Sequence, residues 1–432
     1  MAQIVLFRPR EHYSSRLPSN HVPLGLICVA TALQEAGFSV VILDTSDTSM
    51  DPLTRLDAVV GPETLLAGVG VMTGYQIDGA IRFSRAVKAL RQDLPVVWGG
   101  LHPSMLPEQT IRHPAADVVL IGEGEARIVA VAKHLQQGLP LNGIEGLYLR
   151  QEDEIIATPP VSSFLDLNTL PLPDFNFVDA DYYARQRRSF MAHGSRCLDL
   201  NPDRGCPHKC SFCYNLEFNR RRWRAMDPER VVDQVAQLMA RHQLDAINFT
   251  SDEFFINKKR VRKICEELLK RQIQVCWHSD IRVDTFLQYE DDLLTLLMQA
   301  GCKELTFGIE SGSDRMLKLI DKGITVAQVR KAHARLMAFG FRVNYHFMLG
   351  FPEETLNDMQ QTIQLILELT QEKQVVIYGP SIYIPYPGTP LFARSVAMGF
   401  QPPQDLEGWI TYDWTDEPKL PWFQGWFARY ID

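Results

Sequence analysis

Short apolar runs alternate with segments of helical spacing along the first third of the chain. Gln3–Phe7, Ser39–Leu43, Leu66–Met72, Pro95–Trp98 and Val118–Ile121 read as strands, because each is brief, apolar and bounded by turn-forming residues. Between them, Leu24–Ala36 (stopped by Gly37) and Asp78–Arg91 place apolar residues on one helical face. This alternation predicts a Rossmann-like, doubly wound parallel sheet covered on both faces. Ligands of such sheets sit beyond the carboxyl ends of the strands. The loops to watch are therefore Arg8–Gly25, Thr73–Ile77, Gly99–Pro107 and Gly122–Glu125.

From Arg196 the pattern resumes with six further strand-like segments: Arg196–Leu200, Ala246–Thr250, Val275–His278, Glu304–Ile309, Arg342–Leu349 and Val375–Ile384. Helical spacing lies between them. In the helix that follows residues 206–213, Asp227 suits an N-cap, Pro228 the first turn and Glu229 the helix dipole. Val231, Val232, Val235, Leu238 and Met239 then form that helix's apolar face. Six β/α repeats predict a partial (β/α)6 barrel with its chemistry at the carboxyl ends of the strands. The proline-rich Leu170-Pro171-Leu172-Pro173-Asp174 marks a connection. The expected division is 1–150 for the first domain, 151–190 for a linker, 191–395 for the barrel and 396–432 for a short aromatic extension.

At 432 residues the chain exceeds one ordinary core. Its net charge of −8 gives no general nucleic-acid surface, and is compatible with a small-molecule substrate or a peptide. The opening Met1–Arg10 lacks the apolar core of a signal peptide, and no run is long enough to span a membrane. Eight cysteines without a secretory signal point to a reducing compartment, so a cytoplasmic home is expected.

Three of those cysteines, Cys206, Cys210 and Cys213, stand in a C-x3-C-x2-C run. Three thiolates on one loop suit three irons of a [4Fe-4S] cluster, leaving the fourth iron open. A zinc site is the competing reading, but it needs a fourth protein ligand. His208 lies inside the loop, poorly placed to close a tetrahedron, and Cys28, Cys197, Cys265, Cys276 and Cys302 are scattered. The stretch Arg204–Tyr214 resembles the signature loop of the radical S-adenosylmethionine (SAM) enzymes. The resemblance implies that SAM binds the open iron and is reductively cleaved to a 5′-deoxyadenosyl radical. An electron donor such as flavodoxin or ferredoxin is then implied.

Later strand ends resemble the same family. It implies SAM contacts from Phe212 in the loop, from Ser251, Asp252 and Glu253 towards the amino group, and from Arg282 towards the carboxylate. Glu310 and Ser311 would serve the ribose or amino-acid end, Gly350 the adenine side, and Pro385–Pro390 completes the pattern. The run Arg220–Arg224 reads more readily as a solvated face than as an anion site. The aromatic tail, Trp409, Tyr412, Trp414, Trp422, Phe423, Trp426, Phe427 and Tyr430, suits packing against the barrel bottom, or a pocket for an apolar or planar substrate.

The N-terminal loops resemble the cobalamin-binding domain that precedes many radical SAM cores. The matching fragments are Val22–Gly25, Val71–Tyr75, Trp98–Pro103 and Ile121–Glu125. Cobalamin contacts are implied for Thr73, Gly74, Tyr75, Gln76, Gly99, Gly100, His102, Gly122, Glu123 and Gly124. The D-x-H-x-x-G run that carries an axial histidine in many such domains is missing. His102 is therefore expected to hold its loop, and Tyr75 or Gln76 to cover the lower corrin face. The resemblance implies methyl transfer from methylcobalamin to an unactivated carbon (less often phosphorus) of a small molecule. A cobalamin-dependent cyclase or oxidative enzyme is the alternative. A methylthiotransferase is disfavoured by the lack of a second cysteine cluster in the first domain, and a cofactor sensor by the intact loop.

Overall fold

The computed structural model describes residues 2–10, 22–45, 51–151, 154–186, 195–412 and 420–423. Residues 11–21 of the Arg8–Gly25 loop, and Trp414, Trp426, Phe427 and Tyr430 of the tail, lie outside the described residues. The chain forms two compact units, one of residues 1–179 with 402–416, the other of 180–401 with 417–432.

The first unit is built on a seven-stranded sheet. Its strands are β1 (Ile4–Arg8), β2 (Val40–Asp44), β3 (Leu66–Gly70), β4 (Val96–Gly99), β5 (Val118–Leu120), β6 (Leu147–Gln151) and β7 (Glu154–Ala157), in the order β2-β1-β3-β4-β5-β6-β7. Strands β1 to β5 are parallel, as expected from sequence, while β6 and β7 add an antiparallel edge. The order reverses between β1 and β3, which places the loops after both strands at the switch point where such sheets hold ligands. Buried Ile4, Val5, Leu66 and Val96 make the sheet apolar on both sides. The fully buried Trp98 keeps its ring N–H paired with Ser84 Oγ and the Ala115 carbonyl, both at 3.1 Å.

The second unit carries six parallel strands joined by helices. They are β8 (Cys197–Leu200), β11 (Ala246–Phe249), β12 (Cys276–Asp280), β13 (Cys302–Glu310), β14 (Arg342–Leu349) and β15 (Val375–Ile382), side by side in chain order. A two-strand ribbon, β9 (Asp203–Arg204) with β10 (Arg224–Ala225), brackets the cysteine loop. Strand periodicity separates two faces. On β12, Trp277 and Ser279 are buried towards the helices, and Trp277 donates to the Ala300 carbonyl at 2.9 Å. His278 lies on the opposite face, in a polar ladder linking four strands. Its Nδ1 is 2.8 Å from Asn248 Oδ1 and its Nε2 is 2.7 Å from Thr306 Oγ1. Asn248 donates to Asp199 at 2.6 Å. The helix Pro228–His242 begins where expected, with Asp227 at the N-cap, but the Asp227 side chain makes no capping hydrogen bond.

Two expected boundaries differ. The stretch assigned to a linker opens with β7, whose residues pair with β6 in the first sheet. The C-terminal extension is shared between the units. Trp409 is buried in the first, donating to Gln109 Oε1 at 2.7 Å, and Trp422 belongs to the second, donating to the Gly350 carbonyl at 2.9 Å. Partners some 300 and 72 residues distant leave no local trace in the sequence.

Candidate functional site

The cysteine loop is held by backbone geometry first. Gly205 has φ +86°, and a β-carbon there would stand 2.0 Å from the Arg222 carbonyl oxygen. Arg220 and Arg221 take positive φ in the returning turn, and Arg221 Nε donates to the Pro207 carbonyl at 3.2 Å. This part of the arginine run thus braces the loop. At the other end Cys213 N–H donates to the Cys210 carbonyl at 3.1 Å, Ser211 N–H to Ile320 at 2.9 Å, and Leu391 N–H to Ser211 at 2.9 Å. Gly205→Ala should cost at least about 1–3 kcal/mol in backbone strain alone. We expect that variant to lose bound iron and sulfide in proportion, as a metal assay on the folded fraction will read.

Cys210 is 8% exposed, and Cys206 and Cys213 are half-buried. Burial pushes the Cys206 thiol up to about 12 and the Cys213 thiol up to about 11. Both must shed a proton to bind metal. Affinity for a thiophilic probe such as Co²⁺ should therefore rise between roughly pH 7 and 9, by up to about tenfold per unit for each proton released. Anaerobic titration of the thiolate-to-cobalt absorption checks this, and a flat profile would refute it.

His208 sits closer to this site than the sequence suggested. Its ring, Cys206 Sγ and a Glu253 oxygen all lie within 4.8 Å of one another. Burial, aided by Arg282, lowers the His208 pKa to about 4, so the ring is neutral.

The three candidates after β11 separate by what already engages them. Ser251 Oγ donates to Asp203, and accepts from Glu253 N–H at 3.1 Å. Asp252 accepts from Gly205 N–H at 2.9 Å, Tyr214 OH at 2.9 Å and Asn215 Nδ2 at 2.8 Å, so it ties down both ends of the loop. Glu253 is different. It is 1% exposed, its Oε1 has no hydrogen-bond partner, and burial pushes its pKa up to about 8. A buried, unpartnered carboxyl oxygen beside the cysteines suits an arriving ammonium.

The remaining candidates are also partly committed. Arg282 binds Asp284 and Cys210. Glu310, at φ +71°, accepts from the buried Lys322 ammonium at 2.7 Å. Burial works against the Lys322 charge, but Glu310 and Cys210 together outweigh it and raise the pKa. Ser311 is fully buried, 3.1 Å from Thr362 Oγ1. Gly350, at φ +80°, faces Phe423 and Leu420. Phe212 packs 5.9 Å from Phe351, with the Lys322 ammonium 6.0 Å from its ring. Lys322 was missed from sequence, because nothing in Asp321-Lys322-Gly323 signals that its partner is a distant strand end.

In the first unit the suspected loops also converge. His102 is fully buried, its Nδ1 is 3.0 Å from Thr73 Oγ1, and its ring lies 6.0 Å from that of Trp409. Its Nε2 has no hydrogen-bond partner, and burial lowers its pKa to about 4. Gln76 Oε1 accepts from Met72 N–H at 2.8 Å, between Gly74 at φ +109° and the helix Gln76–Leu90 that follows Tyr75. At Gly100 a β-carbon would meet the Val71 backbone at 2.8 Å, so this glycine serves the approach of two strand ends. By contrast, a β-carbon on Gly25 would meet nothing within 4 Å, and one on Gly99 would meet only the Leu120 carbonyl at 3.9 Å. These open positions, one at the start of the helix Leu24–Glu35 and one at a strand end, suit a broad flat ligand. Gly122 N–H donates to Ser104 Oγ at 2.9 Å, Glu123 accepts from Leu165 N–H at 3.1 Å, and Gly124 lies against Val29.

Comparison with known proteins agrees with both halves. The Radical SAM superfamily model matches residues 200–366, and the B12 binding domain model matches residues 13–132. An uncharacterized methyltransferase of Pyrococcus horikoshii is 30% identical over 380 residues, spanning 87% of this chain and 78% of that protein. The anaerobic magnesium-protoporphyrin IX monomethyl ester cyclase of Rubrivivax gelatinosus is 26% identical over 399 residues, spanning 90% and 69%. The fold is shared with the radical SAM methyltransferase TsrM from Kitasatospora setae, at a TM-score of 0.72 and 19% identity over 92% of this chain and 75% of that one. With the cysteine loop, the open glycine positions and these matches in one polypeptide, the chain belongs to the cobalamin-binding radical SAM enzymes.

Proposed function

We propose that this enzyme transfers a methyl group to an unactivated carbon of a small-molecule substrate. The observation that carries the reading is the buried, unpartnered Glu253 oxygen beside Cys206, a prepared acceptor next to a three-thiol loop. The naming of the Pyrococcus horikoshii relative as a methyltransferase supports the choice of methyl transfer. When bound, the cluster with SAM supplies a hydrogen-abstracting radical, and cobalamin supplies the methyl group.

The residues have separable tasks in this reading. Cys206, Cys210 and Cys213 hold three irons. Glu253 accepts from the SAM ammonium, giving up its proton as the positive charge arrives. Asp252 and Ser251 keep the loop in register, through Gly205, Tyr214 and Asp203. Phe212 and the Gly350–Phe351 turn wall the apolar side. Thr73, Gly74, Tyr75, Gln76, Gly99, Gly122, Glu123 and Gly124 border the corrin, with Gly100 and His102 holding the loops that do so. The electron comes from a flavodoxin- or ferredoxin-like donor, in the cytoplasm. No described helix is long and apolar enough to cross a membrane.

The test is mass spectrometry of the SAM by-products from anaerobically reconstituted, cobalamin-loaded, reduced protein without substrate. S-adenosylhomocysteine forming in step with a methylated corrin is the expected result. Deoxyadenosine alone, with the corrin bound but unmethylated, would favour the cyclase reading, which the 26% identity to the Rubrivivax gelatinosus cyclase keeps in view.

A further inference from the structure

Arg282 is placed differently from its expected role as a partner of the SAM carboxylate. Its Nη1 donates to Cys210 Sγ at 3.4 Å. Its Nε and Nη2 grip the two oxygens of Asp284 at 2.9 and 3.2 Å, and Nη2 also donates to the Lys322 carbonyl. The side chain is buried, and each of its three nitrogens already donates inside the protein. A free carboxylate could take the fork with both oxygens only by displacing Asp284 or the sulfur. Arg282 also joins the two segments that brace the loop from below, since Ile320 accepts from Ser211 N–H at 2.9 Å and Lys322 follows two residues later.

We propose that Arg282 is a positioning residue for the electronic state of the cluster. Its N–H···S bond to Cys210, aimed by Asp284, raises the cluster's reduction potential. The inference rests on the reading that Cys210 ligates the cluster. Its physical basis is general. Reduction adds one negative charge, and cluster potentials follow net charge, hydrogen bonds to sulfur and solvent exposure. A cationic donor on a ligand sulfur stabilises the reduced form more than the oxidised one. Asp284 fixes the fork and cancels part of its charge, so the two residues act with opposite sign.

The experiment is a redox titration of the reconstituted full-length protein without SAM, followed by the EPR signal of the reduced cluster. The variants are Arg282→Met, Arg282→Lys and Asp284→Asn. Arg282→Met is expected to lower the potential by about tenfold in the reduced-to-oxidised ratio, roughly 59 mV for a one-electron couple. Arg282→Lys should fall between it and the parent, and Asp284→Asn should shift the other way. An unchanged potential in cluster-replete Arg282→Met, with weakened SAM binding, would overturn the proposal and return Arg282 to the SAM carboxylate. Should that variant fail to load, an unchanged or lowered potential in Asp284→Asn overturns it equally. A parent protein that shows no cluster signal at all would instead refute the assignment of the cysteine loop.

Discussion

Cys210→Ala is expected to abolish the cluster, and every SAM cleavage with it. The residue is central in the loop and 8% exposed, and it accepts from Arg282 at 3.4 Å. Its loss leaves two thiols for three irons. It also leaves the Arg282 donor facing a methyl group, which costs stability on the order of 1–3 kcal/mol. The loop's backbone bonds to Ile320 and Leu391 do not use the Cys210 side chain, so the fold should survive. Iron and sulfide content, absorbance after anaerobic reconstitution, and release of deoxyadenosine or S-adenosylhomocysteine are the measurements. A variant that keeps a full cluster and cleaves SAM would sink the assignment of the site.

Glu253→Gln should separate stability from function. In the cofactor-free protein, burial raises the Glu253 pKa from 4.5 to about 8. A carboxyl group with a raised folded-state pKa contributes most below its unfolded value, and that contribution is lost as pH rises through the folded value. The cofactor-free parent should therefore lose stability from about pH 4.5 to about pH 8 on account of this group. The loss is of order a few kcal/mol. Glutamine carries no proton to lose, so the variant should melt higher than the parent at pH 8 and show a flatter profile. With the cluster loaded the sign reverses. Removing one partner of a buried charge-assisted pair costs about 2 kcal/mol or more, roughly a 30-fold loss of SAM affinity. Calorimetry of both forms from pH 5 to 8, with SAM titrations, reads both effects. Unchanged SAM affinity would move the ammonium contact to another residue.

Much of the architecture was legible along the chain because the informative signals are local. Strand and helix periodicity depends on neighbours two to four positions away, and all eleven expected strands recur close to their expected places. The cysteine loop was legible for the same reason, with three cysteines inside eight residues. At the site, residue type was readable and availability was not. Ser251, Asp252 and Glu253 are adjacent and chemically alike as acceptors, yet only Glu253 retains a buried oxygen without a partner. Asp252 is engaged by Tyr214 and Asn215, thirty-eight and thirty-seven residues earlier. Arg282 looked like a free cation for a carboxylate, but Asp284, two residues on, had already turned its fork.

By itself the sequence determined the order of elements, the two cofactor-type domains and the three-cysteine loop, since each is set by spacing within a single segment. Tertiary structure decided which acid keeps a buried oxygen without a partner and which cation faces a sulfur. It also decided that Lys322 sits beneath Phe212, and that the aromatic tail is divided between two units. The physical reason is competition. A polar side chain serves a ligand only if no nearer group has satisfied it, and those nearer groups come from strands and turns that only folding brings together.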